Sequence, residues 1–391
     1  MRIRFTWLLL ISLSVLVQAQ NSVILEGDLN TTGIYRFGDE PSGLLGGRYL
    51  PGLKVNIPTS DNHQFEFEVS GNLSYAHFFQ DATESPPANY SLQPYRALLA
   101  YSGKNWEIRT GLQTISFGSA VLLRPLMWFE TLDPRDPMRL AEGVWGGLGR
   151  YYFSNNINLW AWVLYGNRSL KGWEQVTSDY KIPEWGGRVQ IPLPLGEAAL
   201  AYHNRSLLPA EGVLANQTKE HRVGFDAKVD ALLGLWVEYS GSAVPQASWM
   251  NKHWMNLGAD YTFPFGNGLG LMMEQLSLNY RRTPETPSEW SSFSLLSLQY
   301  KINWFAQIQS MVYYDWTLQN WYQFWNFSYQ YKSTNWFLLL YFNPDVPFVP
   351  GNRPDEVSFA GNGIQLMMIY KHRSQTDFKN RRLKELIPFL L

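Results

Sequence analysis

The chain has 391 residues, with 32 Lys+Arg against 33 Asp+Glu and no cysteine; it is 45% hydrophobic, 16% aromatic and only 17% charged. Balanced charge and 17 Trp argue against a disordered polypeptide and against a nucleic-acid binder, and the missing cysteines remove disulfide scaffolds and thiolate metal sites. A mean hydropathy of -0.24 is too polar for a bundle of membrane helices, while the charged fraction is low for an ordinary soluble domain.

Residues 1–20 read as a secretory signal: Arg2 and Arg4 start it, Trp7 to Val17 is apolar but short, and Val17-Gln18-Ala19 has the small-residue spacing of a cleavage site. After residue 20 no apolar run nears the roughly 18 residues that a membrane helix needs; the nearest is Trp336 to Phe342. Period-2 alternation recurs instead. From Gln64, the side chains Gln64, Glu66, Glu68, Ser70, Asn72 and Ser74 share one face, and Phe65, Phe67, Val69, Gly71, Leu73 and Tyr75 the other. The stretch 220–229 sets Glu220, Arg222, Asp226 and Lys228 against Val223, Phe225, Ala227 and Val229, and 254–263 repeats the pattern. Over 268–281, an apolar-outside phase points Glu274 outward between Met272 and Leu276, which calls for a bulge or a one-residue slip.

In chain order, strands are expected near 23–37, 47–57, 63–79, 90–101, 104–116, 143–153, 157–166, 185–191, 196–205, 218–229, 231–241, 252–263, 268–281, 290–301, 304–315, 320–331, 335–342 and 361–372. Short turns, such as Ser102-Gly103 and Ile302-Asn303, alternate with longer segments, such as 38–46, 117–142, 167–184 and 343–360; only 316–319 is short where a long one is due. Aromatics gather at strand ends, as at Tyr101, Trp106, Tyr151, Tyr165, Trp185, Phe263, Tyr280, Trp290, Trp304, Trp321 and Trp336. Such rings favour the headgroup layer. The fold class expected is all-β: a transmembrane antiparallel up-and-down β-barrel of about 18 strands, 16 being the other even count. It would span 21–372, behind the signal and ahead of a basic C-terminal tail, 373–391.

On these features the chain resembles Gram-negative outer-membrane porins across residues 21–372. In general porins the loop after the fifth strand folds into the lumen, and the longest loop here, 117–142, follows the fifth expected strand. Arg109-Thr110-Gly111-Leu112-Gln113 through Leu132-Asp133-Pro134-Arg135-Asp136-Pro137 also looks like the entry to this loop in some substrate-specific export and uptake barrels. The chain departs from the family at its end, where the best final strand, Ile364 to Tyr370, is followed by about twenty residues rather than ending on an aromatic. The resemblance implies an outer-membrane location, lipid around the barrel and, in some members, a homo-oligomer.

Motifs for catalysis are missing: no Gly-x-Ser-x-Gly, His-Glu-x-x-His, phosphate loop or calcium loop occurs, and the six histidines are scattered. The chain is therefore read as a non-enzyme without metal or cofactor. Charges on the inward phase carry more information, because a charge facing lipid at mid-depth costs about 2–4 kcal/mol for Arg. They comprise a basic set, Arg96, Arg109, Arg150, Arg188, Arg205 and Arg222, and an acidic set, Glu26, Asp28, Glu66, Glu68 and Glu107. Placed on opposing walls, the two would create a transverse field. The loop 117–142 would narrow the pore with Arg124, Asp133, Arg135, Asp136, Arg139 and Glu142, and Asp136-Pro137 is expected to cap a short helical turn over 137–141. Inward Trp160, Trp162 and Trp236 could stack sugars. The function expected is passive diffusion of small hydrophilic solutes or saccharides, with no nucleic-acid partner. The alternatives are a polysaccharide-export or cell-surface assembly barrel and, behind it, an outer-membrane enzyme.

Overall fold

The computed structural model describes residues 21–378 apart from 39–40, 61, 81–87, 133–134, 139, 210–213, 215, 282–283 and 346–358. The expected signal 1–20, the loop residues Asp133 and Arg139, and the tail beyond 378 lie outside the described residues.

Eighteen strands follow one another: β1 Asn21–Phe37, β2 Ser42–Ser60, β3 His63–Gln80, β4 Asn89–Ser102, β5 Trp106–Gln113, β6 Val144–Tyr152, β7 Asn158–Leu164, β8 Glu184–Leu193, β9 Gly196–Leu207, β10 Thr218–Asp230, β11 Gly234–Ala243, β12 Lys252–Phe263, β13 Leu269–Tyr280, β14 Glu289–Lys301, β15 Ala306–Asp315, β16 Asn320–Tyr331, β17 Thr334–Phe342 and β18 Asn362–Phe378. Each pairs antiparallel with its chain neighbours, and β18 pairs with β1 from Asn21↔Phe378 to Phe37↔Asn362, which closes the sheet. Closure removes edges and lets every strand satisfy its backbone polar groups within the wall. No α-helix occurs among the described residues; one short 3₁₀ turn covers Ser248–Met250.

Alternation sorts the side chains as period-2 chemistry requires. Leu25, Phe67, Leu73, Ile108, Val163, Leu200, Leu257 and Met273 are exposed on the outer face, where hydrocarbon rather than water would meet them. Trp185, Trp290, Trp304, Trp321 and Trp336 are exposed at strand ends. Tyr280 instead packs inside, against the cluster around Leu278. The chain's largest apolar cores also lie within the barrel. One lines β13–β17 with Leu276, Phe293, Tyr313, Tyr322, Phe324 and Tyr341; another joins Phe117, Trp128 and Phe129 to Trp162 and Leu164.

This inner apolar wall resolves the phase of β13. Its register with β12 and β14 runs without a shift from Leu269 to Tyr280, so no bulge or slip is present. Glu274 points inward, together with Leu276 and Leu278, because here apolar residues cover the inside as well as the outside. Two boundaries also differ from the sequence reading. The first connection is 38–41 rather than 38–46, since Gly43 to Gly47 pair with both β1 and β3. The last strand continues past 372 to Phe378 because β1 offers partners down to Asn21.

The long segment between β5 and β6 begins with a backbone device. Gly111 has φ 116°, a left-handed conformation open to glycine. A Cβ there would run into the carbonyl of Ala97 on β4. Two residues later the chain leaves the wall, and 114–143 turns into the lumen.

Candidate functional site: the lumen and its inward loops

Loop 114–143 crosses the barrel and is fastened to the far wall by carboxylates. Glu238 on β11 accepts the backbone N–H groups of Ala120 at 2.8 Å and Leu126 at 2.6 Å. Glu274 on β13 accepts those of Val121 at 2.7 Å, Leu122 at 3.1 Å and Leu123 at 2.6 Å, and the indole N–H of Trp236 at 3.2 Å. Asp226 on β10 accepts from the Ser119 hydroxyl at 3.0 Å. Such a hydrogen bond contributes about 0.5–1.5 kcal/mol net, and these sites are screened from water. Apolar contacts complete the docking: Leu122 and Leu123 enter the β13–β17 cluster, and Phe117 stacks on Trp162 with centroids 5.6 Å apart.

A second segment, 165–183, is held by ion pairs. Lys171 Nζ lies 3.0 Å from Glu184 and 3.4 Å from Glu174. Glu174 also meets Arg205 at 3.0 Å and Arg222 at 3.1 Å, and Glu220 bridges the same two arginines. His203 accepts the indole N–H of Trp162 at Nδ1 and donates from Nε2 to Glu184. All of these side chains are buried. Three cations facing three carboxylates leave the cluster neutral, the condition under which buried charge is tolerated.

The expected basic set therefore divides. All six arginines share the inward phase, but Arg188, bound through two bonds to Asp226, and Arg205 and Arg222, tied into the cluster above, are covered by the inward loops and face no open water. Arg96 stacks on Tyr95 and donates to the Ala141 carbonyl at 2.8 Å, tying the end of the loop to β4. Arg109 and Arg150 stay partly open and share Glu107, at 2.6 and 3.4 Å. The acidic set is not on an opposing wall. Glu26 and Asp28 on β1, Glu66 and Glu68 on β3 and Glu107 on β5 alternate along one wall with Lys54, Arg96 and Arg109. Lys54 pairs with Glu66 at 2.7 Å and Lys371 with Asp28 at 3.4 Å. Neighbouring opposite charges cancel locally, so the expected transverse field has no basis.

Among the loop residues, Arg124 pairs with Glu130 at 2.6 Å, while Arg135 is buried over the rings of Phe324 and Phe359. Asp136 accepts from the Met138 N–H at 2.9 Å, which makes a turn at 137–138 where a helical turn was expected: an Asx turn uses the same carboxylate as a helix cap. Asp136 and Glu142 line a cavity. The sugar track fails on burial. Trp162 and Trp236 are 2% and 4% exposed beneath loop 114–143, and the ring of Trp160 is covered by the Arg150 guanidinium at 4.0 Å.

Sequence reasoning missed the anchors Glu238, Lys171, Glu174 and Glu184. Asp226 and Glu238 do carry a signal: each is an inward carboxylate on a strand with clear alternation.

No protein-family model and no curated protein matches the sequence. Solved structures do match in shape. They include OccK5 (OpdH) of Pseudomonas aeruginosa, at 10% identity over 91% of this chain and 98% of that one, with TM-score 0.54. OccAB2 of Acinetobacter baumannii is 9% identical over 90% and 98%, with TM-score 0.55. OmpT of Vibrio cholerae, an outer membrane protein in trimer form, is 10% identical over 91% and 100%, with TM-score 0.52. These likenesses establish the fold, a closed antiparallel barrel of the porin kind.

Proposed function

We propose that the protein is a porin of the Gram-negative outer membrane, passing small hydrophilic solutes by diffusion through a lumen narrowed by loop 114–143. The observation that carries this is the anchoring of the loop by Glu238 and Glu274 across the barrel. The loop's stretch 119–126 lies against β10–β13, while Lys54, Glu66, Glu68 and Arg109 on β2, β3 and β5 stay partly open to water. An apolar outer face and strand-end aromatics suit a lipid bilayer. Non-enzymatic function is favoured because the buried carboxylates of Glu174, Glu184, Asp226, Glu238 and Glu274 are engaged in fastening the inward loops. The trimer form of the Vibrio protein makes a homo-oligomer worth testing by cross-linking.

Planar-bilayer recording of the purified barrel tests the reading. Stable ohmic conductance is expected from the full chain. A barrel closed to ions overturns it, and conductance that emerges only after deletion of 117–142 favours polysaccharide export or surface assembly instead.

A further inference from the structure

At the long-loop end, the inner wall of β18, β1, β2 and β3 encloses a cavity of about 790 Å³ together with Phe129, Thr131, Asp136, Met138 and Glu142. Its wall is a shallow cradle. Gly46 and Ala76 sit side by side on β2 and β3 and leave the middle of the wall almost without side chain, in one row with Thr32 of β1. Around this dip stand Asn30, Thr32, Arg48, Asn72, Ser74 and Gln365. Asn30, Arg48 and Ser74 form the adjoining row. The side chains are neutral amides and hydroxyls for the most part, drawn from three neighbouring strands and from β18 across the seam.

These groups are not used up by the wall. The hydroxyl of Thr32 and the amide oxygens of Asn72 and Gln365 have no hydrogen-bond partner, although Gln365 is only 4% exposed. Buried polar atoms in folded proteins are nearly always paired. Other lumen amides, Asn256, Gln113 and Asn326, also carry an unpaired atom, but none of them lines this cavity, where three such groups meet. Unspent amides and hydroxyls converging on one cavity mark a surface built for a ligand that brings its own donors and acceptors.

Charge narrows the ligand class. Arg48 and Arg168 line the cavity with Asp136 and Glu142, two cations with two anions, while Lys171, also on its edge, is committed to Glu174 and Glu184. The cavity thus has no net charge to attract an anion or a cation over a neutral molecule.

We propose that this vestibule is a binding site for a neutral polyhydroxylated solute of the saccharide class, seated over Gly46 and Ala76 and hydrogen-bonded by Thr32, Asn72 and Gln365. The site deepens the porin reading and rests on it for the route by which the solute arrives. It is separate from the buried tryptophans of β7 and β11.

Saturation-transfer NMR on the detergent-folded protein, with maltose and succinate as probes, reads binding directly; bilayer recording in maltose reads it through interruptions of current. Maltose is expected to receive saturation and to interrupt the current, and succinate to do neither. Asn72→Leu with Gln365→Leu should shorten the interruptions at least tenfold, and Gly46→Leu, which fills the cradle, should abolish them. Retention of the heat-modifiable band on a denaturing gel certifies that a variant is folded. If both variants prove unfolded, Thr32→Val alone is read the same way. A conducting barrel that ignores maltose, that prefers succinate, or whose folded variants bind maltose unchanged overturns the site and leaves the porin reading intact. A barrel that binds maltose at the vestibule yet conducts no ions overturns the porin reading and leaves the site.

Discussion

Arg205 and Arg222 on the wall of β8–β11, and Arg109 and Arg150 on the wall of β4–β6, are the same residue type at the same inward phase, yet they end in opposite circumstances. The first two are buried, shared between Glu174 and Glu220, and covered by segment 165–183. The second pair shares the single Glu107 and keeps side-chain exposures of 29% and 15%. What distinguishes them is not strand geometry but which wall a loop lies upon. A lumen charge becomes a fastener where a loop brings a counter-charge and excludes water, and remains a pore charge where none does.

The largest expected effect of breaking this contrast is at Glu174. Glu174→Ala leaves Lys171, Arg205 and Arg222 short of an anion in a dry site and should cost about 3–5 kcal/mol. Urea titration in micelles, followed by loss of the heat-modifiable band, would measure it. A variant as stable as the parent would mean that the two walls do not differ in the way described. Next comes the pair Glu238→Ala with Glu274→Ala, which strips acceptors from five backbone N–H groups of the loop. A loss of about 2–4 kcal/mol is expected, with new protease cleavage inside 114–143 and a rise in conductance. Proteolysis confined to other loops would show that apolar packing alone holds this one. Smallest in stability is Arg150→Ala or Arg109→Ala, at under about 1 kcal/mol for a partly solvated pair. Its signature is instead a reversal potential shifted toward cations; an unchanged potential would place the ion path elsewhere.

Much of this architecture is legible in the amino-acid sequence. Strict alternation at 63–80, 218–230 and 252–263 marks strands because every second residue must face the other side, and the order of short and long connections follows from a wall threaded up and down. The reading fails where two physical demands coincide on one face. Glu274 lies among Met272, Leu276 and Leu278, and a rule that equates apolar with outward turns that strand inside out; Leu122, Leu123 and Phe359, distant in sequence, explain an apolar interior. The same distance hides the fate of Trp162 and Trp236, whose inward phase is plain but whose burial depends on a segment arriving from across the barrel. Gly43, Gly46 and Gly47 depress strand propensity locally, and pairing on both edges outweighs it.

The seam between β1 and β18 joins the first strand to the last through an unbroken register from Asn21↔Phe378 to Phe37↔Asn362. Every other pairing in the wall links neighbours along the chain and can form as a local hairpin. The seam must wait until all eighteen strands are in place, because it closes the longest loop in the molecule. Assembly should therefore proceed as a growing ribbon whose last act is a single cooperative closure, and until that moment both of its edges are open to pairing with another chain.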